Sequence, residues 1–387
     1  MRQVHCSSSP ASLTPAVVHA EARAALERVL PWKAFGKSVT VADLLDLLLQ
    51  MAVSTASLFA TVRRFFSFSH ETASKAVRAN LPSCDKLVEG LLKGLYETAD
   101  FSRQDRRRRW LLAIDTHDVP YYGKKNASLV GGPKKQGTRW FYAYASAVLL
   151  HQGRRYTIAL CPLAPKTKPH EIVRMLLDQI AKKGLKIKGV VLDSGFDSGE
   201  TFLLLQERAI AYTVPLRRKG NTNNARNRLF EGRDKQVRWM SWYVKDTPRK
   251  VETRTVLWKG SKRTMLLAFG GWSRKKADSV HRQADQQKTL YRRRFGIETS
   301  YRQKNQSQAK TTSSDPVYRL LLEGLGYLIR QLWVVLTEKL SRSQGRQGRT
   351  SPKTFAWVSE LPLRRLTEWL FGELGRLHPE ECSIPLA

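Results

Sequence analysis

The chain has 387 residues, of which 67 are Lys or Arg and 33 are Asp or Glu, so its formal net charge at pH 7 is +34. A hydrophobic fraction of 42% is that of a globular protein and excludes a wholly disordered chain. Because the basic residues are spread along the whole chain, the expected partner is a polyanion, with nucleic acid as the first choice. An anionic membrane surface is the second choice, but we find no basic amphipathic helix with a clean apolar face, so no membrane partner is expected.

The four cysteines lie far apart, at Cys6, Cys84, Cys161 and Cys382. They form no Cys-x-x-Cys pair, which argues against a structural zinc site and a disulfide framework and fits a reducing cytoplasm. Residues 1–15 are a polar leader, and charges interrupt the segment that follows, so no signal peptide is predicted. The most apolar segment, residues 318–336, contains three charged side chains, which favours a buried core helix over a membrane span.

Residues 16–104 have apolar positions at helical spacing and predict a helical N-terminal domain that binds DNA. Within this range, TASLFATVRRFF and SFSHETASKAVRANL predict two helices joined by a short polar turn. Ser67 or Ser69 is the expected N-cap of the second helix, which carries Lys75 and Arg78. This arrangement is typical of a helix-turn-helix DNA reader, and packing in a plain helical bundle is the alternative.

From residue 105 to 216, apolar runs and amphipathic segments alternate and predict an α/β sheet with layered helices. HEIVRMLLDQIAKKGLKI is the clearest predicted helix, and WLLAI, GVVL and AYTVPL are predicted strands. Residues 217–272 begin with a basic, Asn-rich connector and continue as antiparallel strands with a turn at KGSK, which predicts a β-rich insertion. Residues 273–341 return to a helical pattern, and residues 342–387 predict a linker and a C-terminal helix.

Two predicted strands of the α/β region are each followed by an aspartate and then by turn-forming residues. Asp115 follows WLLAI and Asp193 follows GVVL, and such positions are where open α/β sheets build their sites. A single Asp there has an ordinary turn or cap role in most cases. Two of them, together with Glu298, make the set of hard oxygen ligands that Mg²⁺ or Mn²⁺ requires. Asp118 and Asp197 are expected to have turn or supporting roles.

Glu298 lies in YRRRFGIETSYRQKN (291–305), where it is surrounded by four arginines and a lysine. The ordinary explanation is a helix salt bridge with Arg294, four residues earlier. An exposed pair of this kind contributes only about 0–1 kcal/mol and would account for one arginine of the four. We therefore interpret Glu298 as a metal ligand whose surrounding cations hold phosphates.

Three segments, IDTHDVPYYGK, LDSGFDS and YRRRFGIETSYRQKNQ, resemble in this order the signatures of insertion-sequence transposases with a ribonuclease-H-like DDE core. The third is similar to the Tyr-Arg-Glu-Lys signature of one large bacterial and archaeal group. The resemblance covers about residues 105–335 and includes the β-rich insertion. It implies an α/β ribonuclease-H-like catalytic core interrupted by a β-rich insertion, with a helical N-terminal domain and a helical C-terminal part. It also implies that Asp115, Asp193 and Glu298 are catalytic and bind two Mg²⁺ ions, with Mn²⁺ as the alternative.

The same signature implies which residues contact DNA. Its Tyr lies seven residues before the Glu and its Arg four before, and Tyr291 and Arg294 match both positions. Its Lys is expected seven residues after the Glu, where this chain has Asn305, and Lys304 is one residue short. On an ideal helix Arg302 lies on the side of the Glu, whereas Lys304 points about 100° away. Tyr291, Arg294, Arg302 and Lys304 are therefore the candidates for positioning phosphates, with Arg302 and Lys304 as alternatives for the lysine role.

The function that the resemblance implies is metal-dependent cleavage at transposon ends, followed by strand transfer into target DNA. The implied partners are double-stranded DNA, as terminal inverted repeats and as target, and a second copy of the chain in a homodimer on DNA. Arg106–Arg109 would add nonspecific affinity, and the place of action would be the nucleoid of a prokaryotic cytoplasm. A ribonuclease-H-like nuclease without joining activity and a catalytically dead DNA-binding protein are the alternatives.

Four tryptophans of the insertion have two interpretations, namely Trp239, Trp242, Trp258 and Trp272. The first is ordinary packing in a sheet. The second comes from the resemblance, because an insertion-domain Trp in such transposases can receive a flipped base, whose unstacking costs a few kcal/mol. The sequence does not indicate which of the four tryptophans would receive a base.

Overall fold

A computed structural model describes residues 13–151, 154–220, 224–261, 264–272, 280–345 and 361–377. The chain forms two compact units, which we call the helical unit and the sheet unit. The helical unit contains the chain up to Gly90, Gln303–Ser313 and the chain from Val317 onward, and the sheet unit contains Leu91–Arg302 and Ser314–Pro316. The helices of the described residues are α1 (Pro15–Val29), α2 (Val41–Val53), α3 (Leu58–Phe65), α4 (His70–Asn80), α5 (Cys84–Thr98), α6 (Arg103–Arg107), α7 (Pro169–Ala181), α8 (Gly199–Glu207), α9 (Ala225–Arg228), α10 (Val280–Lys304), α11 (Pro316–Gly345) and α12 (Leu363–Leu377).

The N-terminal helices begin where the sequence supplies capping side chains. The Thr40 hydroxyl accepts from the Asp43 backbone and the Asp43 carboxylate accepts from the Thr40 backbone, so a capping box starts α2. Ser69, one of the two serines considered, caps α4. Helix α4 buries Ala73, Ala76 and Val77 and leaves its two basic side chains exposed. The succession of helix, four-residue turn and basic helix is therefore present, and its use as a DNA reader stays a prediction.

The most apolar helix, α11, is part of the core, as its interspersed charges predict. Residues Pro316–Leu340 are long and apolar enough to cross a membrane, with a mean hydropathy of 1.4, but their most apolar window is entirely buried. The C-terminal helix α12 packs against α1 and α2 within the helical unit. The sequence pattern sets residues 342–387 apart as a separate C-terminal part. A single sequence does not reveal that this helix packs against helices near the N-terminus. The predicted leader and linker lie largely outside the described residues.

The sheet unit is built on one mixed sheet in the order β2-β3-β1-β5-β6-β9-β8-β7, with β4 also paired to β3. The strands of the described residues are β1 (Arg109–Tyr121), β2 (Val130–Lys135), β3 (Thr138–His151), β4 (Arg154–Leu163), β5 (Lys186–Val191), β6 (Ala211–Leu216), β7 (Val237–Tyr243), β8 (Lys250–Lys259) and β9 (Thr264–Gly270). Strand β1 is antiparallel to β3 and parallel to β5, which in turn is parallel to β6. The predicted α/β class is confirmed as a mixed α/β structure.

One predicted boundary in this sheet is wrong. The apolar run WLLAI suggested that β1 ends just before Asp115, but the strand continues to Tyr121. Its polar second half, DTHDVPY, pairs with β3 as far as Tyr121↔Trp140, so backbone pairing replaces the missing apolar pattern. Only the parallel pairing with β5 stops near Asp115, since its last aligned pair is Ala113↔Val191.

The β-rich insertion is an extension of the central sheet and not a separate sheet. Strand β9 pairs antiparallel with β6, β8 pairs with β9, and β7 forms the edge. The alternating segments predicted as strands are all strands here. The insertion therefore lies in the same sheet as Asp115 and Asp193.

Candidate active site

The register of two parallel strands brings Asp115 and Asp193 to the same end of the sheet. Ala113 of β1 is paired with Val191 of β5, and each aspartate lies two residues beyond its member of this pair. Because β1 and β5 run in the same direction, the two carboxylates leave the paired region at the same level. The apolar runs therefore indicated correctly that the two aspartates lie at one end of the sheet, although β1 itself continues, and their role as metal ligands stays a prediction.

Helix α10 covers the face of the sheet that carries Asp115. Its Ile297 is fully buried in a cluster with Leu111 and Ala113 of β1, Val191 of β5 and two residues of β3. Side chains two residues apart on a strand share a face, so Asp115 lies on the face of Leu111 and Ala113. Glu298, the residue after Ile297, is thereby brought to the edge of this cluster.

Asp115 is a buried carboxylate with two hydrogen-bond partners. Its Oδ1 accepts from the Thr116 backbone at 2.9 Å, and its Oδ2 accepts from Arg294 Nη1 at 3.0 Å. Burial raises the pKa of Asp115 to about 6; the Arg294 charge opposes this rise, and the charges of Asp193 and Glu298 add to it. Burial is therefore the main cause of the raised pKa, and the two neighbouring acids add to it.

Asp193 lies in a short turn directly after β5, where it has the cap role that is ordinary for an aspartate. Its Oδ1 accepts from the Gly195 backbone at 2.8 Å and so starts a 3₁₀ turn. A Cβ on Gly195 would lie 2.9 Å from this oxygen, so a larger residue would displace the carboxylate. A single cap bond leaves most of the lone pairs of an ionised carboxylate available for another ligand.

Arg294 joins Glu298 to Asp115. Its Nη2 donates to Glu298 Oε1 at 2.9 Å while its Nη1 donates to Asp115. The predicted helix salt bridge therefore exists, but it is not a surface pair, because the Arg294 side chain is 8% exposed and shared between two acids. Burial lowers the pKa of Arg294, but the charges of Asp115, Tyr291 and Asp193 outweigh it, so the pKa is raised overall. The Glu298 side chain is 47% exposed, which leaves one side of the site open.

The donor set fits a divalent metal ion in its chemistry. Burial is the main cause of the raised pKa of Asp115, and the charges of Asp193 and Glu298 add to it, so all three carboxylates act on one another and a divalent cation would relieve their repulsion. Among the residues that the structure describes, no three His, Cys, Asp or Glu side chains already form a cluster that could hold a metal. Instead, the Arg294 guanidinium lies between Asp115 and Glu298 and donates a hydrogen bond to each carboxylate.

The four predicted DNA contacts have different surroundings. Tyr291 is buried with Val256, Trp258 and other core residues, and its ring lies 5.7 Å from the Arg294 guanidinium carbon. Arg302 is exposed on α10. Lys304 is buried, and its Nζ donates to Glu323 Oε1 at 2.6 Å. The structure therefore brings Arg294 to the acids and does not present the Lys304 ammonium to solvent.

The two remaining aspartates of the motifs have different surroundings, and their expected turn or supporting roles stay predictions. Asp118 is exposed and pairs with Lys135 at 3.3 Å. Asp197 is buried and anchors the basic connector after β6: its Oδ2 accepts from the Arg217 backbone at 2.9 Å and pairs with the Arg226 guanidinium. The Arg217 side chain in turn donates from Nε to Ser194 Oγ at 2.8 Å, next to Asp193.

The structure separates the four tryptophans. Trp258 is buried, and Trp242 and Trp272 are half-buried. Trp239 is 72% exposed on the edge strand β7. One exposed aromatic residue was missed from the sequence: Phe295 lies 5.3 Å from the Arg294 guanidinium carbon and is half-exposed. Its position next to Arg294 in the motif was the available signal.

Known proteins resemble this chain in sequence pattern and in fold. A family model described as a transposase DDE domain matches residues 106–310, slightly more than half of the chain. No curated protein matches the sequence. The structure is similar to that of a piggyBac transposase in a synaptic complex with hairpin DNA, with a TM-score of 0.57 over 95% of this chain and 82% of that chain. The two sequences are 10% identical, so this likeness concerns the fold alone.

Proposed function

The chain belongs to the transposase DDE domain family, and we propose that it is the transposase of an insertion sequence, which cleaves the element's ends and transfers them to target DNA. One observation carries the proposal: Asp115 and Asp193 lie at matching positions of two parallel strands, and Arg294 joins Asp115 to Glu298. Members of this family generally use divalent metal ions. We assign Asp115, Asp193 and Glu298 as the ligands of two Mg²⁺ ions, with Mn²⁺ as the alternative. The ribonuclease-H-like description of the core belongs to this proposal.

Two divalent ions would supply a nucleophilic oxygen at neutral pH and stabilise charge on the leaving oxygen. In the first step, the oxygen of water forms a bond to phosphorus, the bond to the 3′ oxygen breaks, and that oxygen takes up a proton. In the second step, the oxygen of the released 3′-hydroxyl forms a bond to a phosphorus of the target and loses its proton, the bond to a target 3′ oxygen breaks, and that oxygen takes up a proton. The residues of the chain hold the two strands in line for both steps, and no protein–DNA bond is formed.

The surrounding cations are proposed to position phosphates. Arg294 holds Asp115 and Glu298 together, and the buried ring of Tyr291 packs beside it. Arg302 is exposed four residues after Glu298, so we assign the lysine role of the signature to Arg302. The ammonium of Lys304 is already neutralised by Glu323, which argues against a phosphate contact.

Base and end recognition complete the proposal. Trp239 is the most exposed of the four tryptophans, so we assign it to stack on a flipped base. Helices α3 and α4 would read the terminal inverted repeats, with Lys75 and Arg78 toward DNA. Two ends must be handled together, so a homodimer on DNA in a prokaryotic nucleoid is the expected working form.

The test uses DNA segments that flank the coding region in its genome, placed around a marker gene on a plasmid. Purified protein with Mg²⁺ should release the marker and join it to a second plasmid. Asp193→Asn and Glu298→Gln should each lower cleavage by about 10²–10³-fold, since each removes a proposed ligand of the metal ions that would stabilise charge at the reacting phosphate. Asp118→Asn is the matched control, because Asp118 is a surface acid on the same strand as Asp115.

Two outcomes would overturn the proposal. Retained cleavage by Glu298→Gln would exclude the three-acid site. Cleavage without joining, tested with a pre-cut end that carries a 3′-hydroxyl, would assign the nuclease alternative.

A further inference from the structure

A basic hairpin projects from the strand that carries Asp115 and has no role in the acid site. We define it as residues 121–140: the end of β1, the loop that follows, β2 and the start of β3. Strands β2 and β3 meet at Lys135↔Thr138, with Gln136 and Gly137 at φ values of 50° and 85°. Two consecutive residues with positive φ make the tight turn that suits a twisted hairpin, and Gly137 adopts it without strain.

The charge of this hairpin is strongly one-sided. It contains five cationic side chains and no acid, and all five are exposed: Lys124, Lys125, Lys134, Lys135 and Arg139. The nearby Asp118 pairs with Lys135. Lys125 lies 4.6 Å above the Trp140 ring. Within the described part of the chain, Lys124, Lys134 and Arg139 have no ion-pair partner.

The hairpin is held firmly on the sheet unit. Tyr122 is 70% exposed, and its hydroxyl donates to the Gln136 carbonyl at 2.8 Å, which ties the loop after β1 to the turn. The buried Thr138 hydroxyl donates to the Tyr121 carbonyl at 2.7 Å. Asn126 Nδ2 donates to the Tyr142 hydroxyl at 2.9 Å. These bonds order the backbone of the hairpin, so they fix the positions from which the cationic side chains extend.

The hairpin begins where β1 leaves the acids. From Asp115 to Tyr121 the strand covers about 20 Å at roughly 3.3 Å per residue. Along duplex DNA, with about 3.4 Å between successive phosphates of one strand, that distance corresponds to about six base pairs. A duplex whose reacting phosphate lies at the acids and whose axis follows β1 would therefore bring its backbone to the hairpin about half a turn away.

We propose that the basic hairpin, residues 121–140, binds the phosphate backbone of duplex DNA about half a helical turn from the reacting phosphate, through Lys124, Lys134 and Arg139. The contact is independent of base sequence, because lysine and arginine on phosphates carry no base readout. The position of the duplex rests on the proposed function, whereas the binding itself does not.

The experiment measures binding of a 40-base-pair duplex in EDTA at several salt concentrations, so that no turnover occurs. One duplex has random sequence, and a second is taken from the flank of the coding region. The variant carries Lys124→Gln, Lys134→Gln and Arg139→Gln. The matched control carries Lys93→Gln, Arg174→Gln and Lys182→Gln, which remove the same charge from exposed positions on or next to helices α5 and α7.

The slope of log K against log salt is negative, and each lost phosphate contact reduces its magnitude by about 0.9, so the magnitude should be smaller by about 2.7 in the hairpin variant. The control should retain the wild-type slope, and both variants should keep the wild-type melting temperature. A smaller salt dependence on both duplexes supports a contact that is independent of base sequence, whereas a change on the flank duplex alone would overturn the proposal. An unchanged slope on both duplexes, or an equal fall in the control, would overturn the proposal. Because binding is measured without catalysis, failure here is distinguishable from retained cleavage by Glu298→Gln, which would overturn the proposed function alone.

Discussion

Two buried cations of the same helix, Arg294 and Lys304, have opposite surroundings. Lys304 and Glu323 form a sealed pair within the helical unit, with side-chain exposures of 2% and 1%. Arg294, in the sheet unit, is shared between a buried acid and a half-exposed one, and the pKa of the buried acid is raised to about 6. The first pair is balanced and closed. The second is unbalanced and open to solvent on the side of Glu298.

If the proposed function holds, a structural ion pair and a functional site lie ten residues apart in one helix. A buried pair of opposite charges is neutral without any bound ligand, and its two members stabilise each other only while both are present. Arg294 is shared by two carboxylates, Asp115 and Glu298, and this open arrangement would become more favourable when a cation binds. Variants in each region test whether the two differ in this way.

The largest effect on stability is expected at the sealed pair. Lys304→Met should lower the free energy of unfolding by about 3–5 kcal/mol, because it removes the ammonium that pairs with the buried Glu323 carboxylate. The double variant Lys304→Met/Glu323→Gln should recover most of this loss. Urea unfolding of the wild type and of both variants measures the loss and its recovery. If Lys304 is structural, the double variant also retains cleavage, whereas Arg302→Gln loses it. A single variant with unchanged stability would show that the pair is not structural.

At the open site, a substitution that removes a charge is expected to raise the free energy of unfolding and not to lower it. The pKa of Asp115 is raised from 3.8 to about 6 in the folded chain, so the folded state binds more protons than the unfolded state between these values. Stability of the metal-free protein therefore falls as pH rises through this window, by at most roughly 3 kcal/mol. Asp115→Asn removes that cost and should be more stable than the wild type at pH 8 in EDTA, by about 1–3 kcal/mol.

The pH dependence provides the control for this prediction. At pH 4.5 Asp115 is mostly protonated in the folded wild type, so the advantage of Asp115→Asn should shrink toward zero. Chemical unfolding at both pH values distinguishes this from a general packing effect, which would be independent of pH. An Asp115→Asn protein that is less stable than the wild type at pH 8 would contradict the account.

The smallest effect concerns Gly296, in the motif of the open site. A Cβ at this position would meet the Arg155 side chain at 2.0 Å, so Gly296→Ala must displace it, at a cost of about 1–3 kcal/mol that offsets the helix propensity of Ala. Gly372, in α12, is the matched helical glycine, because a Cβ there would have none of the described atoms within 4 Å. Gly372→Ala should raise the melting temperature and Gly296→Ala should not. Equal stabilisation by both would show that the space at Gly296 is not needed.

The elements that were predictable from the sequence are those with a strong local pattern. Helix α7 buries the five apolar positions of its predicted face, and strand β6 coincides with the run AYTVPL. The positions of Asp115 and Asp193 followed from such runs because parallel strands align their ends. The second half of β1 was not predictable, since its polar residues are strand only through pairing with β3.

The rest of the site depends on partners that are distant in sequence. Nothing near Lys304 shows that it will pair with Glu323 on another helix, so its motif position suggested DNA instead. Gly296 lies within the continuous helix α10 and makes room for Arg155, which lies on a strand far away in the chain, so the motif alone does not reveal its role. Exposure likewise distinguished Trp239 from the three other tryptophans only once the sheet was formed.

The central claim is that Asp115, Asp193 and Glu298 together bind divalent metal ions. The most direct measurement is a titration with Mn²⁺, followed by the electron paramagnetic resonance signal of the free ion. The account predicts that the wild type and Asp118→Asn bind Mn²⁺, and that a folded Asp115→Asn/Asp193→Asn/Glu298→Gln protein does not. Equal Mn²⁺ binding by the triple variant and the wild type would contradict it.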